Sequence, residues 1–121
     1  MNDGDIFEKF ATEIEKFIDA KKTVVLNQER LDNVLDTYNL VKKYINDTGE
    51  DLDVKIQHDK QFLFDVYIRI TSYFAFILPH DRMDFLIDII KRSDMIRIQP
   101  TPEMDIELTL VFRDVYDVGG V

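Results

Sequence analysis

Two histidine–aspartate pairs are the residues of this sequence best suited to chemistry. His58 precedes Asp59, and His80 precedes Asp81. Such pairs supply metal ligands in metal-dependent phosphohydrolases when further histidine and aspartate residues converge on the ion. The sequence has no third histidine, and both pairs fall at predicted ends of elements, where histidine is ordinarily solvated or capping. We therefore favour a structural role for both, and a site of two histidines and a carboxylate requires that they meet in space.

Other patterns that carry chemistry are missing. Cysteine is absent, which excludes disulfides, thiolate nucleophiles and cysteine-ligated metals. Gly4 and Gly49 are isolated, so they cannot form a phosphate-cradling loop, and the acidic stretch 46–53 lacks the spacing of calcium ligands in an EF-hand. Ser72 and Ser93 do not lie in a nucleophile elbow of the G-x-S-x-G type. We expect no cofactor, no metal and no catalytic residue, and the sequence leans towards a non-enzymatic protein.

Acidity is the most distinctive property of the chain. Its 24 Asp and Glu outnumber its 15 Lys and Arg, which gives a net charge of −9. Residues 1–20 and 100–121 each carry −4, so eight of the nine excess charges lie in the two end segments. This balance argues against binding to a nucleic-acid backbone, which needs clustered cations. If the two ends are neighbours in the fold, they form one negative surface for a basic partner.

The size and hydropathy of the chain predict one domain, residues 1–121. With 45% apolar side chains among 121 residues, the chain can bury a core of its own. Its longest uncharged run is residues 70–79, whereas a membrane-spanning helix needs about 20 apolar residues, so we expect no membrane association. The first ten residues lack the basic and apolar segments of a secretory signal. Together with the lack of cysteine, this predicts a cytoplasmic location.

Three segments have the apolar spacing of amphipathic helices. The first runs from about Asp5 to Ala20, with Asp5 as its N-cap. The second begins after an N-cap at Asn27 and closes at Gly49, which can adopt the left-handed conformation. The third follows a cap at Asp81. The buried stripe predicted for the first helix is Ile6, Phe7, Phe10, Ile14, Phe17 and Ile18.

Four segments alternate apolar and polar residues as strands do. They are residues 52–57, 62–78, 96–99 and 104–112. The second of them is too long for one regular strand, so we expect a bend, bulge or end near Thr71–Ser72. Pro79 stops this run, and the turn at residues 100–102 joins the last two strands into a hairpin.

The element order α-α-β-β-α-β-β predicts an α+β fold, a two-layer sandwich with a mainly antiparallel sheet and helices on one face. Residues 24–26 appear as an apolar link, and Gly119–Gly120 as a frayed tail. The face under the helices would bear Ile56, Phe64, Val66, Ile68, Ile106 and Leu108. The exposed face would bear Lys55, Tyr67, Arg69, Arg97, Asp105 and Glu107.

These positions supply the candidate partner-binding residues. Tyr67 and Tyr73 flank Arg69 on the polar side of the long strand, where aromatic and arginine side chains can anchor a partner. Packing of the two tyrosines within the fold is the competing interpretation. The last hairpin adds the acids Glu103 and Asp105, with Glu107 beside them.

We therefore expect a non-enzymatic acidic protein-binding module, of the inhibitor, immunity or adaptor type. It would engage a basic protein through the acidic end segments or the exposed sheet face. Two alternatives stay open. One is a structural subunit of a homo-oligomer that pairs through edge strands or through the aromatic-rich region from Tyr73 to Leu78. The other is a small enzyme with a carboxylate/histidine site.

Overall fold

The chain folds into three described helices and two antiparallel sheets. A computed structural model describes residues 3–18, 21–58, 61–72, 83–103 and 105–119. Its elements are α1 (Asp3–Glu15), β1 (Thr23–Leu26), α2 (Gln28–Thr48), β2 (Leu52–His58), β3 (Val66–Ser72), α3 (Met83–Arg92), β4 (Met95–Pro100), β5 (Ile106–Phe112) and β6 (Tyr116–Gly119). One sheet has the strand order β2-β3-β5-β4, and β1 pairs with β6 in a second, two-stranded sheet. The predicted α+β class is confirmed.

The helix α2 has both of the predicted caps. The Asn27 side chain accepts a hydrogen bond from the Arg30 N–H at 3.2 Å, which satisfies one of the donors left free at a helix start. At the other end Gly49 has φ 69°, a left-handed conformation that glycine adopts without strain, and its N–H donates to the Ile45 carbonyl. Local side-chain chemistry therefore defines this helix at both ends.

The helix α1 differs from its prediction at both ends. It already begins at Asp3, so Asp5 lies within it and is not its N-cap. It ends at Glu15, five residues earlier than predicted, and Phe17 therefore leaves the buried stripe and is 63% exposed. Phe7 and Ile14 keep their predicted place in the core. The apolar pattern identified the helix, but it also included residues beyond the last helical turn.

All three helices contribute to one hydrophobic core on one face of the larger sheet. Alternate residues of β3 and β5 face this core, because successive side chains of a strand point to opposite sides. The predicted layer arrangement is thus correct for the described residues. The buried cluster comprises Phe7, Ile14, Leu31, Val34, Val41, Val66, Ile68, Ile70, Ile89, Leu108, Leu110, Phe112, Val115 and Tyr116.

The strand predicted over residues 62–78 is shorter at its start. Residues 62–64 form a turn, in which the Asp65 N–H donates to the Phe62 carbonyl, and β3 begins at Val66. The strand β3 is described as far as Ser72, so the bend or end near Thr71–Ser72 stays a prediction. Residues 73–82, including Tyr73, Pro79, His80 and the predicted cap Asp81, lie outside the described residues.

Two short strands were not predicted. Residues 24–26, predicted as a link, belong to β1. Gly119, predicted in a frayed tail, belongs to β6 and pairs with Thr23 of β1. Neither segment is long enough to show a clear alternating pattern. Each is a strand because the other end of the chain supplies its hydrogen-bonding partner.

Val115 and Tyr116 connect the two sheets. The N–H groups of both residues donate to the Phe64 carbonyl, at 2.9 and 3.2 Å, and the Val115 carbonyl accepts from the Asn27 N–H at 2.9 Å. The Tyr116 side chain is 1% exposed, and its hydroxyl donates to the Phe7 carbonyl at 2.8 Å. Burial raises the pKa of this hydroxyl well above its ordinary value of 10. The C-terminal strand is thus fixed to the first helix through a hydrogen bond inside the core.

We expect Tyr116→Phe to lower the free energy of unfolding by about 1–2 kcal/mol at neutral pH, since the buried Phe7 carbonyl loses a donor. Above about pH 10 the unfolded chain releases the tyrosine proton while the folded chain retains it, so the parent loses stability as pH rises. The variant has no such proton. The difference in free energy of unfolding between the parent and the variant should therefore narrow by about 1.4 kcal/mol per pH unit above pH 10.

Urea unfolding of both proteins between about pH 7 and pH 11 measures this difference. All other side chains are the same in both proteins, so their contributions cancel in the difference. A difference that stays constant through pH 11 would contradict the role given to the Tyr116 hydroxyl.

Candidate sheet-face binding site

The face of the larger sheet opposite the helices carries the candidate site, here called the open face. Residues at odd-numbered positions of its strands lie on this face, because the even-numbered ones point into the core. The strand registers align them in rows across the four strands. From β2 to β4 the rows are Asp53, Thr71, Glu107 and Gln99; Lys55, Arg69, Thr109 and Arg97; and Gln57, Tyr67, Val111 and Met95.

These rows separate three kinds of chemistry. The first row holds two carboxylates, the second holds three cations, and the third is largely apolar. Neighbouring side chains on one face of an antiparallel sheet lie close enough to interact, so opposite charges of adjacent rows can pair. The open face is therefore not uniformly acidic, and its carboxylates are concentrated towards the end of the sheet where β5 begins.

An ion pair between Arg69 and Glu107 lies at the centre of the open face. The Arg69 Nε atom contacts the Glu107 Oε1 atom, and both atoms are shielded from solvent. The carboxylate is 10% exposed and the guanidinium side chain 40% exposed. Gln99 adds a donor, from Nε2 to Glu107 Oε2 at 3.3 Å. A carboxylate withdrawn from water to this degree needs such partners to remain charged at low cost.

A surface depression of about 350 Å³ adjoins this ion pair. The turn after β4 forms one wall, and it is closed by two hydrogen bonds between Thr101 and Asp105, of which the Thr101 N–H donates at 2.8 Å and the Thr101 Oγ1 accepts at 3.1 Å. The depression is lined by Asp53, Lys55, Gln57, Arg69, Thr71, Thr101, Pro102, Glu103, Asp105 and Glu107. Four of these residues are acids and two are bases, so the lining carries a net charge of −2.

The opposite end of the open face has different chemistry. A second depression, of about 160 Å³, is lined there by Phe62, Asp65, Tyr67, Met95, Arg97, Val111 and Arg113. Its walls combine apolar side chains with two arginines and one acid. The open face thus presents an acidic depression at one end and an apolar, cationic one at the other.

The predicted site residues are only partly brought together. Arg69, Asp105 and Glu107 line the acidic depression, and Glu103 is an exposed residue of its turn. Tyr73 lies outside the described residues. The prediction that Tyr67 and Glu107 are exposed is wrong: they are 6% and 8% exposed, because β3 and β5 are the central strands and side chains on both sides cover them.

Gln99 and Asp53 were not among the predicted site residues. Both occupy polar positions of alternating strands, but only the strand registers place them in the same row as Glu107. Lys55 and Arg97 are exposed on the open face as predicted. The missing information was therefore which strands are neighbours and how they align.

The acidic residues of the C-terminal segment do not share one surface. Asp114 and Asp117 lie close to Tyr116, whose hydroxyl contacts α1. Glu103 and Asp105 lie at the other end of β5, which spans roughly 20 Å at the usual rise per residue. The acids of this segment are therefore divided between the two ends of β5, so they do not all share one negative surface.

The ring of His58 is packed within the fold. It stacks on Phe10 with centroids 4.9 Å apart, meets the Tyr116 ring edge-on, and its Nε2 atom donates to the Leu63 carbonyl. His80 lies outside the described residues. Among the residues that are described, no three histidine, aspartate or glutamate side chains form a group that could hold a metal ion. These contacts give His58 a role in packing, whereas a solvated or capping residue was expected at the end of an element.

A separate polar cluster joins the loops near the start of α2. Arg30 Nη1 donates to the Arg113 carbonyl at 3.0 Å and lies 3.7 Å from Asp94 Oδ2, which accepts from the Arg113 N–H. Asp114, with φ 54°, donates its N–H to Asp65 Oδ1. Partial burial raises the pKa of the Asp65 carboxyl above its ordinary value, against the opposite effect of this N–H. Because these carboxylates accept hydrogen bonds from backbone N–H groups, the cluster holds the loops together.

Comparison with known proteins supplies no family. Nothing matches the chain among protein-family models, curated proteins or solved structures. Of the helices in the described ranges, none is both long enough and apolar enough to span a bilayer. The functional proposal therefore rests on the chemistry of the open face.

We expect Arg69→Met to reduce the free energy of unfolding by about 1–3 kcal/mol, because the shielded Glu107 carboxylate loses its cation. This is below the cost of breaking a fully buried pair, since Arg69 is partly exposed. Adding Glu107→Gln to that variant should recover most of the loss, because no charge is then left without a partner.

A double-mutant cycle by urea denaturation measures the coupling. The matched control is Arg97→Met, which removes an exposed cation from the same row and should change stability by less than about 0.5 kcal/mol. If Arg69→Met is no more destabilising than this control, the ion pair does not stabilise the open face.

Proposed function

We propose that this chain is a non-enzymatic protein-binding module that engages a basic partner through the open face. The observation that carries this proposal is the acidic depression, where four carboxylates and two cations surround a concavity beside a shielded ion pair. A basic side chain of the partner enters this depression, and the rest of the contact extends over the neighbouring rows. We place this activity in the cytoplasm, as the cysteine-free composition predicts.

Three properties of the open face support binding to a protein. The helices pack on the other face, so the described helices leave these rows uncovered. The rows place arginine side chains next to carboxylates, and arginine is enriched at protein interfaces. The Arg69–Glu107 pair holds its charges in place before a partner arrives, which lowers the ordering cost of association.

Charge distribution gives the partner its sign. The lining of the acidic depression has a net charge of −2 in a chain of net charge −9. Such a field speeds the approach of a basic protein and opposes acidic ones. The proposal is of the inhibitor, immunity or adaptor type, in which a small acidic domain occupies a cationic surface of its target.

Charge reversal at two acids of the depression tests this proposal. Glu103 and Asp105 line the depression but are not the shielded partners of Arg69. Replacing both with lysine reverses the local charge, and capture of the partner should fall at least about tenfold. Asp36→Lys with Asp47→Lys is the matched control, because it makes the same change in net charge on the exposed surface of α2.

Capture can be measured by cross-linking from defined positions, since the chain contains no cysteine. A benzophenone attached to Pro102→Cys, an exposed residue of the acidic depression, should link to a protein in extracts of the source cells. The same reagent on Asp36→Cys should not. Equal capture by the Glu103/Asp105 reversal and the Asp36/Asp47 control would refute the open face as the binding surface.

A further inference from the structure

The outer edge of β4 has the chemistry of an unused pairing edge. In the described part of the chain, β4 is the last strand of its sheet, and no strand lies beyond it. The Thr101 N–H donates to the Asp105 carbonyl, so this is a hydrogen-bonded pair of the β4–β5 ladder. Because such pairs alternate in an antiparallel ladder, the N–H and C=O groups of Ile96 and Ile98 point outwards. The C=O of Pro100 does the same.

An exposed apolar side chain accompanies this edge. Ile98 is 67% exposed, more than any other large hydrophobic residue described. The other edge strand of the sheet, β2, carries both Asp53 and Lys55. Charged side chains on an edge strand discourage pairing with another chain. The β4 edge has one charge, Arg97, and therefore much weaker protection.

Local charge favours a second copy of this chain as the occupant. Residues 83–100 contain three acids and three bases and are neutral overall, whereas the whole chain carries −9. Two copies that approach through this segment meet little net electrostatic repulsion. A strongly charged partner gains nothing here, which separates this edge from the acidic depression.

The side chains also specify a register. With a two-fold axis at Ile98, the two Ile98 side chains are opposite each other, Arg97 faces Gln99, and the Ile96 N–H donates to the Pro100 carbonyl of the other copy. This arrangement forms about four main-chain hydrogen bonds. An axis at Arg97 would place two guanidinium groups opposite each other, which is destabilising. Pro100 has no N–H and ends the pairing.

We propose that two copies of this chain form a two-fold symmetric dimer by antiparallel pairing of their β4 strands, centred on Ile98. The two larger sheets then become one continuous sheet, and the exposed Ile98 side chains pack against each other. Such a contact is isologous, so it closes after two copies. This inference is independent of the proposed protein-binding function, because it uses the edge of the sheet and not the acidic depression.

Sedimentation velocity from about 1 µM to about 1 mM tests the association. The parent should shift from a species of 14.3 kDa to one of twice that mass as its concentration rises. Ile98→Lys should weaken the dimer at least about tenfold, since it places two like charges opposite each other. Phe17→Lys is the matched control, because Phe17 is 63% exposed and lies far from β4 in sequence, and its dimer should be unchanged.

Oxidative cross-linking tests the register. In a chain without cysteine, Ile98→Cys should form a disulfide-linked dimer much faster than Lys55→Cys on the other edge strand, because opposed residues of an antiparallel pair have Cα atoms about 5.5 Å apart. Three outcomes overturn the proposal: a parent that stays monomeric at about 1 mM, an Ile98→Lys variant that still dimerises like the parent, or equal cross-linking of the two cysteine variants.

Discussion

The buried Tyr116 side chain constrains the rest of the structure. Its hydroxyl donates to the Phe7 carbonyl, which joins residues 109 positions apart in the sequence inside the core. The adjacent N–H groups of Val115 and Tyr116 share the Phe64 carbonyl, so the same corner also fixes the loop that leads into β3. A buried hydroxyl without a partner is costly. Helix α1, the β1–β6 pair and the start of β3 therefore have to take compatible positions around this ring.

The larger sheet has two faces with different requirements. On the helix face, the residues of β3 and β5 that are described as buried are apolar, such as Ile68 and Leu110. On the open face the same central strands withdraw polar residues from water, and there Glu107 contacts Arg69 and accepts a hydrogen bond from Gln99. The shielded ion pair thus follows from the central position of these strands. It also gives the open face the fixed charges that a binding surface needs.

Most elements could be predicted from the sequence because their signals are local. Asn27 and Gly49 cap α2 through contacts within a few residues, and the alternation in β2 and β5 is visible in the sequence. The strands β1 and β6 could not be predicted in this way, since each is short and depends on a partner about 90 residues away. Phe17 was misassigned because apolar spacing continues past the last turn of α1.

Composition and local pattern determined the α+β class, the caps of α2, the acidic charge and the candidate residues Glu103, Asp105, Glu107 and Arg69. Only the tertiary structure decided what these residues do together. Strand order placed β3 and β5 at the centre, so Tyr67 and Glu107 are shielded, and register brought Glu107 to Arg69 and Gln99. The physical reason is that side-chain period follows from the local backbone, whereas burial and charge pairing depend on neighbours that are distant in the sequence.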